Sequence, residues 1–251
     1  MEYSLYADVP DINFFRSKLH MSSTGNEEDV VVLSCDADER VYDQEMAGEQ
    51  DESFFMYMDV LEEFGVKIPL TPFEMDVLNF LNVAPSQIRP NSWAFVRGFE
   101  ILCKSLNLEP SVGVSFHFYG TKDVNKGTWI SIYAHAGKRL FPPYASNFKK
   151  EWLDSFVRIQ GALECSTASI MVDGKPKFPL RWSNNPLAVM GYDFAKMSPY
   201  EQSLVCFLEK FPLINIHELL DREGDAKRMD AYMREWLWNI AIFIKFLFGI
   251  S

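Results

Sequence analysis

The clearest concentration of basic side chains in this 251-residue sequence comprises Lys138, Arg139, Lys149 and Lys150. Aromatic residues are interleaved with them. Cations hold phosphates and aromatic rings stack on bases, so this combination is what a single-strand nucleic-acid surface needs. A solvated loop with anchoring aromatic residues has the same composition, and the acidic balance of the chain favours that second interpretation.

Asp36 and Asp38 are the sharpest candidates for catalysis. They follow the apolar run Val30 to Leu33, and an apolar strand followed by Asp-x-Asp is how haloacid-dehalogenase-type phosphatases begin. Those enzymes use the first Asp as nucleophile and the second as general acid, with an apolar or Thr residue shortly afterwards. Here Glu39 and Arg40 follow instead, and short motifs recur by accident. An acidic segment with one apolar patch is therefore the preferred interpretation.

The sequence contains four histidines: His20, His117, His135 and His217. They lack the HxxxH and HExxH spacings of zinc sites. His117 and His135 would face each other across a hairpin, which makes a metal site one hypothesis, but ordinary sheet residues are the preferred one. The chain has no Gly-rich phosphate loop and no GxSxG elbow. We therefore predict no catalytic residues, no metal and no cofactor.

Acidic residues outnumber basic ones by 35 to 24, and the net charge is -11. A protein that grips phosphates needs positive charge on at least one face, so a strong nucleic-acid function is disfavoured. The four cysteines are Cys35, Cys103, Cys165 and Cys206. They form no CxxC pair, and residues 1–10 do not resemble a signal peptide, so we expect free thiols in the cytoplasm or nucleus.

Two helices begin at capping boxes. Thr71-Pro72-Phe73-Glu74 and Ser198-Pro199-Tyr200-Glu201 each place a capping hydroxyl, a proline at the first helical position and a glutamate three residues on. A third, amphipathic helix is predicted from Pro90, with Asn91 as its N-cap.

In this third helix Trp93, Phe95 and Phe99 are predicted to lie in the core. Arg97 lies on the predicted polar face, where we expect it to contact a partner.

The remaining elements are predicted from hydrophobic periodicity. Apolar residues at helical spacing predict a helix over 54–64, ended by Gly65. Alternating residues predict strands, of which the last is confined to a sheet edge by Pro179. These strands cover residues 112–118, 129–133, 156–159 and 178–182, with a hairpin loop at 120–127.

These elements predict an α+β fold, in which several amphipathic helices pack on a small antiparallel sheet. We expect an acidic, mostly disordered segment over residues 1–53, a globular domain over 54–220 and an apolar C-terminal helix over 221–251.

The stretch 236–250 is apolar except for Asn239 and Lys245. It is interpreted first as a packed or partner-bound helix, second as non-native sequence after a shortened reading frame, and third as a membrane anchor. Spanning a membrane needs about 20 apolar residues.

Residues 69–74 (PLTPFE) and 78–103 (LNFLNVAPSQIRPNSWAFVRGFEILC) resemble the plant "putative transposase, gypsy type" domain. The resemblance continues more loosely to Trp182 and covers roughly residues 54–185. It implies a protein from the N-terminal region of gypsy-class retrotransposon proteins, or from one of their genomic relics. The family provides no catalytic residues that could be carried over to this chain.

Our first prediction is a non-catalytic, retrotransposon-derived, gag-region-like interaction domain. It would associate with itself or with another element-encoded protein. The alternative is a nucleic-acid-binding module of the element, and the second alternative is a hydrolase that uses Asp36 and Asp38. The predicted contact residues are Arg97, Lys138, Arg139, Lys149 and Lys150.

Overall fold

A computed structural model of the chain describes residues 4, 20–21, 30–35, 39–42, 53–124, 129–144, 150–161, 170–173 and 175–248. The chain divides into two compact units. The sheet unit comprises Met1–Trp93, Thr121–Ser131 and Ala145–Ala188, and the helical unit comprises Ala94–Gly120, Ile132–Tyr144 and Val189–Ser251. The domain boundaries predicted at residues 53 and 220 stay predictions.

The fold is α+β, as predicted. The strands are β1 His20–Met21, β2 Val30–Leu33, β3 Ser53–Tyr57, β4 Lys67–Ile68, β5 Tyr119–Val124, β6 Trp129–Ala134, β7 Phe156–Gly161, β8 Met171–Val172 and β9 Lys175–Pro176. The α-helices are α1 Met58–Phe64, α2 Pro72–Leu81, α3 Pro90–Ser105, α4 Val112–Phe118, α5 Pro199–Leu208, α6 Ile216–Arg222 and α7 Ala226–Phe248. Short 3-10 helices cover Pro85–Gln87, Lys150–Asp154 and Phe194–Lys196.

The sheet unit is organised around β7, the central strand of an antiparallel sheet ordered β2-β7-β3. Val32 pairs with Ile159 and Met56 pairs with Val157, and all four side chains are fully buried. The strand predicted at 156–159 is confirmed as β7. Residues 30–33, within the segment predicted to be mostly disordered, contribute strand β2 to this sheet.

Residues 54–64, predicted to form one helix, instead form strand β3 followed by helix α1. Every residue from Ser53 to Tyr57 is buried and pairs with β7. A short continuous apolar run fits a buried strand and a helix equally well, so the pattern alone could not separate them. Helix α1 begins at Met58 and ends at Gly65, whose φ of 59° gives the left-handed cap that was predicted.

Both capping boxes are confirmed. The backbone N–H of Glu74 donates to the Thr71 hydroxyl at 3.2 Å, and the N–H of Thr71 donates to the Glu74 carboxylate at 2.8 Å. The matching distances between Ser198 and Glu201 are 3.3 and 2.8 Å. Helices α2 and α5 therefore begin where the sequence places them.

Residues 112–118 form helix α4, so the predicted strand there is wrong. The Ser111 hydroxyl accepts the Val114 N–H at 3.4 Å and caps the helix. It also donates to the carboxylate of Glu201, and this hydrogen bond is the main reason that the pKa of Glu201 lies below its ordinary value. A Cβ on Gly113 would lie 2.9 Å from the same carboxylate. The local alternation was overridden by packing of α4 against α5.

Residues 178–182 form no strand, contrary to the prediction. The segment is held by side chains instead. The Arg181 guanidinium donates to the carbonyl of Ser53 at 2.6 Å, and the Trp182 indole N–H donates to the Ser86 hydroxyl at 2.9 Å. The strand predicted at 129–133 is confirmed as β6.

In the helical unit, α5 packs on α4 and α7 packs on α6. Helix α7 is the longest, with 23 residues. Among the described residues, no helix combines the length and the apolar character that a membrane crossing requires.

We expect replacement of Thr71 by Ala to lower the free energy of unfolding by about 1 kcal/mol, because it leaves a backbone N–H at the start of α2 without its acceptor. Urea titration of the purified chain measures this change. Asp76→Ala, an exposed position in the same helix, should change stability by less than about 0.5 kcal/mol. Equal effects of the two substitutions would contradict the capping role.

Candidate functional site

Arg97 is buried, with 1% of its surface exposed, so the prediction that it lies on an exposed polar face is wrong. One guanidinium nitrogen pairs with the Glu100 carboxylate, and the other lies 2.9 and 2.7 Å from the two carboxylate oxygens of Glu223. Helix α3 also begins at Pro90, so Asn91 lies inside its first turn and not at its N-cap. The predicted core residues Trp93, Phe95 and Phe99 are confirmed as buried.

Arg97 is a structural residue of the helical unit. Its two carboxylate partners lie on α3 itself and directly after α6, so the guanidinium joins these two helices. Residues 92–103 are all buried except for Glu100. A cation on such a helix must be paired, since an isolated charge away from water is very costly.

The other predicted contact residues do not form one observed surface. Lys138 and Arg139 follow β6 in the helical unit and are exposed. Lys149 lies outside the described residues. Lys150 begins a 3-10 helix of the sheet unit, and only its backbone is described. A joint role for these four residues stays a prediction.

His117 lies on helix α4, and its Nε2 atom is 3.3 Å from a Glu209 carboxylate oxygen and 3.2 Å from Lys138 Nζ. His135 follows β6, and its ring contacts that of Tyr133 at a centroid distance of 5.5 Å. The described residues contain no group of three or more side chains suited to hold a metal ion. The geometry thus gives the two histidines packing partners in the helical unit.

The described cysteines are free thiols, with Cys35 and Cys103 buried and Cys206 exposed. Burial, assisted by Glu100 and by Glu109, raises the pKa of Cys103 to about 12. Cys103 is therefore protonated near neutral pH and is a poor nucleophile. Asp36 and Asp38, the candidates for hydrolysis, lie outside the described residues, as does Cys165.

A group of aromatic rings in the sheet unit was not predicted from the sequence. Trp129 is at its centre, 6.1 Å from Trp152 and 5.4 Å from Trp182 between ring centroids. Tyr42 lies 5.9 Å from Trp182. At the other end, the guanidinium of Arg89 lies 5.8 Å from the centre of the Trp152 ring. We call these four rings and Arg89 the aromatic row.

Backbone and core contacts fix the aromatic row in place. The N–H of Arg89 donates to the carbonyl of Ile130 at 3.0 Å, which joins the start of α3 to strand β6. The indole N–H of Trp129 donates to the hydroxyl of the fully buried Tyr57 at 3.1 Å. The Tyr57 ring also contacts Trp152 edge-on, at 5.0 Å.

The aromatic row is partly open to solvent. Arg89, Trp129 and Trp152 are half-buried, Tyr42 is 37% exposed, and Trp182 is nearly buried. Half-buried rings beside a guanidinium offer a stacking surface and a positive charge to a planar or anionic ligand. Sequence reasoning missed the site because its members are distant in the chain, and six tryptophans alone do not indicate which of them meet.

We expect Arg97→Ala to lower the free energy of unfolding by about 3 kcal/mol or more, because two partly buried carboxylates lose their cation. Arg228→Ala is the matched control. Its pair with Asp221 is exposed, with 52% and 64% of the side chains accessible, so the loss should stay below about 1 kcal/mol. Chemical denaturation of both variants tests the difference, and equal losses would contradict the structural role of Arg97.

Residues 55–123 match a family model described as "Putative gypsy type transposon". The match confirms the resemblance over this segment, which runs from β3 to β5. The looser similarity toward Trp182 lies beyond the match and stays a prediction. No curated protein and no solved structure matches the chain.

Proposed function

We propose that this chain, which over residues 55–123 matches the model of the "Putative gypsy type transposon" family, is a transposon-derived, gag-region-like protein that acts by binding and without catalysis. Its first partner in this proposal is a second copy of itself. The family match supports the transposon origin, and helix α7 is the observation that carries self-association.

Helix α7 is anchored to the helical unit by its first half. Met229 and Met233 are buried, and the guanidinium of Arg222 on α6 lies 4.7 Å from the centre of the Tyr232 ring. Beyond them, Leu237 is 39% exposed, and the helix continues to Phe248. The sequence from 236 to 248 is apolar except for Asn239 and Lys245.

Four apolar residues of α7 beyond the anchored half have the spacing of a helix seam. Leu237, Ile240, Ile244 and Leu247 follow one another at intervals of three, four and three. This alternation is the repeat of a coiled-coil seam, in which the apolar positions of one helix pack between those of a partner. Leucine and isoleucine at these positions supply the apolar contacts of such a seam. A second copy supplies the same seam by symmetry.

The seam is short, so we expect association that depends on concentration. The positions from 237 to 247 extend over about 15 Å, at 1.5 Å per residue. Isolated helices of this length are marginal in water, and the anchored first half of α7 reduces that cost by fixing the helix start.

The non-catalytic part of the proposal is supported by the uses of polar side chains that the structure describes. Arg97 serves an ion pair between helices, and Cys103 is a buried protonated thiol. His117 lies against Lys138 and Glu209. The contacts of these groups are typical of residues that stabilise a fold, which supports a non-catalytic role.

Self-association is tested by sedimentation equilibrium of the full chain over a wide concentration range. We expect the average mass to rise from 29.0 kDa toward twice that value. Ile240→Lys combined with Ile244→Lys should remain monomeric, because two charges at the seam oppose burial.

Glu235→Lys is the matched control for this experiment, because residue 235 lies outside the seam spacing and is exposed. This variant should associate like the unmodified chain. A monomer at every concentration, or a dimer that survives the double substitution, would refute the proposed seam.

A further inference from the structure

We infer that the aromatic row of the sheet unit binds single-stranded nucleic acid, with Trp152 and Trp129 stacking on bases and Arg89 contacting a phosphate or a base. This binding site differs from the proposed self-association seam, which lies on α7 in the helical unit. It also replaces Lys138 and Arg139 as the most informative place to look for a nucleic-acid contact.

The arginine of the row is available for an anion. Arg89 is half-buried against Trp152, and the part of the chain that the structure describes places no carboxylate in an ion pair with it. Several other arginines are paired, such as Arg97 with Glu223 and Arg158 with Glu39. A guanidinium held over an indole keeps its charge and its planar donors for a ligand.

The rings are also held ready for stacking. Because the backbone of Arg89 is bonded to Ile130 and the indole of Trp129 is bonded to Tyr57, the positions of both are set by the fold. A rigid aromatic surface loses little side-chain entropy when a base stacks on it. Stacking of a base on an aromatic side chain is worth about 1–3 kcal/mol.

The net charge of the chain is concentrated in its first 52 residues. Residues 1–52 hold 14 acidic and three basic side chains, which accounts for the whole net charge of -11. Residues 53–251 hold 21 of each sign. Because the sheet unit includes the acidic segment, the charge of that segment opposes a polyanion at long range, and the guanidinium of Arg89 acts only locally.

The row favours single strands and is tolerant of sequence. Bases in a duplex are stacked inside it and cannot reach half-buried rings, whereas unpaired bases can. The indole N–H of Trp129 bonds to Tyr57 and that of Trp182 bonds to Ser86, so neither is free to read a base edge. A proline-rich peptide also docks on aromatic grooves, but it makes no use of an uncompensated guanidinium.

Fluorescence anisotropy with labelled single-stranded RNA of mixed sequence, about 12 nucleotides long, tests the site. We expect Arg89→Gln to weaken binding about tenfold. Trp152→Leu, which removes the ring but keeps apolar volume, should weaken it to a similar extent, whereas Trp152→Phe should retain most of the affinity. Circular dichroism melts establish whether each variant is folded. If Trp152→Leu does not fold, the binding of Arg89→Gln decides the outcome.

Two matched controls separate this site from the rest of the chain. Arg228→Gln removes an exposed arginine of the helical unit, and Lys138→Glu with Arg139→Glu reverses the competing basic pair. Both should bind like the unmodified chain. Binding that is lost only in the Lys138 and Arg139 variant would overturn the assignment.

Three further results would also overturn it. These are the absence of single-strand binding by the unmodified chain, equal affinity for a duplex of the same sequence, and binding of a labelled proline-rich peptide to the row without any binding of RNA. The expected dependence on salt is shallow, with a slope of about -0.7 in log K against log salt for one phosphate contact.

Discussion

The burial of helix α3 is the constraint on which the rest of the molecule depends. Residues 92–103 are buried except for Glu100, and the boundary between the two units falls inside this helix, between Trp93 and Ala94. The helix thus supplies Trp93 to the sheet unit, and Phe95 and Phe99 to the helical unit. Such a helix can carry a cation only if the surrounding structure pairs it, and Glu100 and Glu223 do so for Arg97.

The sequence predicted well those features in which hydrogen bonds join residues only a few positions apart. The capping boxes at Thr71 and Ser198 and the glycine cap at Gly65 satisfy backbone groups of their own helix ends, so no tertiary information is needed. Local sequence also specified β6 and β7, where apolar and β-branched residues dominate.

The wrong predictions arose where tertiary packing overrides a local pattern. Residues 112–118 alternate like a strand, but they form a helix, which is capped by Ser111 and joined to Glu201 through the Ser111 hydroxyl. Apolar residues over 54–64 recur at helical spacing, yet pairing of residues 53–57 with β7 makes the first part of this segment a strand. Arg97 was placed on a polar face because its neighbours Glu100 and Lys104 are polar, while its partner Glu223 is more than a hundred residues away.

The aromatic row could not be derived from the sequence for the same reason. Arg89 and Trp152 lie in distant parts of the sequence, and in the fold both lie beside the start of β6, where Trp129 contacts Trp152. The spacing of these residues along the chain does not predict that they meet. The basic residues predicted as contacts are divided between the two units, with Lys138 and Arg139 in the helical unit and Lys149 and Lys150 in the sheet unit. Composition therefore drew attention to cations and aromatic rings, but it did not indicate which of them meet in the fold.

The distribution of charge decides what kind of binding the row can support. The acidic segment before residue 53 belongs to the sheet unit, which also holds the aromatic row. Its strand β2 pairs with β7, and Val32 is buried there. The negative charge of this segment opposes a polyanion at long range and is screened by salt, whereas stacking on Trp152 is not. Raising the salt concentration therefore weakens the repulsion as well as the single arginine contact. Affinity at this site must come mainly from the rings, in contrast to a basic groove, where it would come from many phosphate contacts.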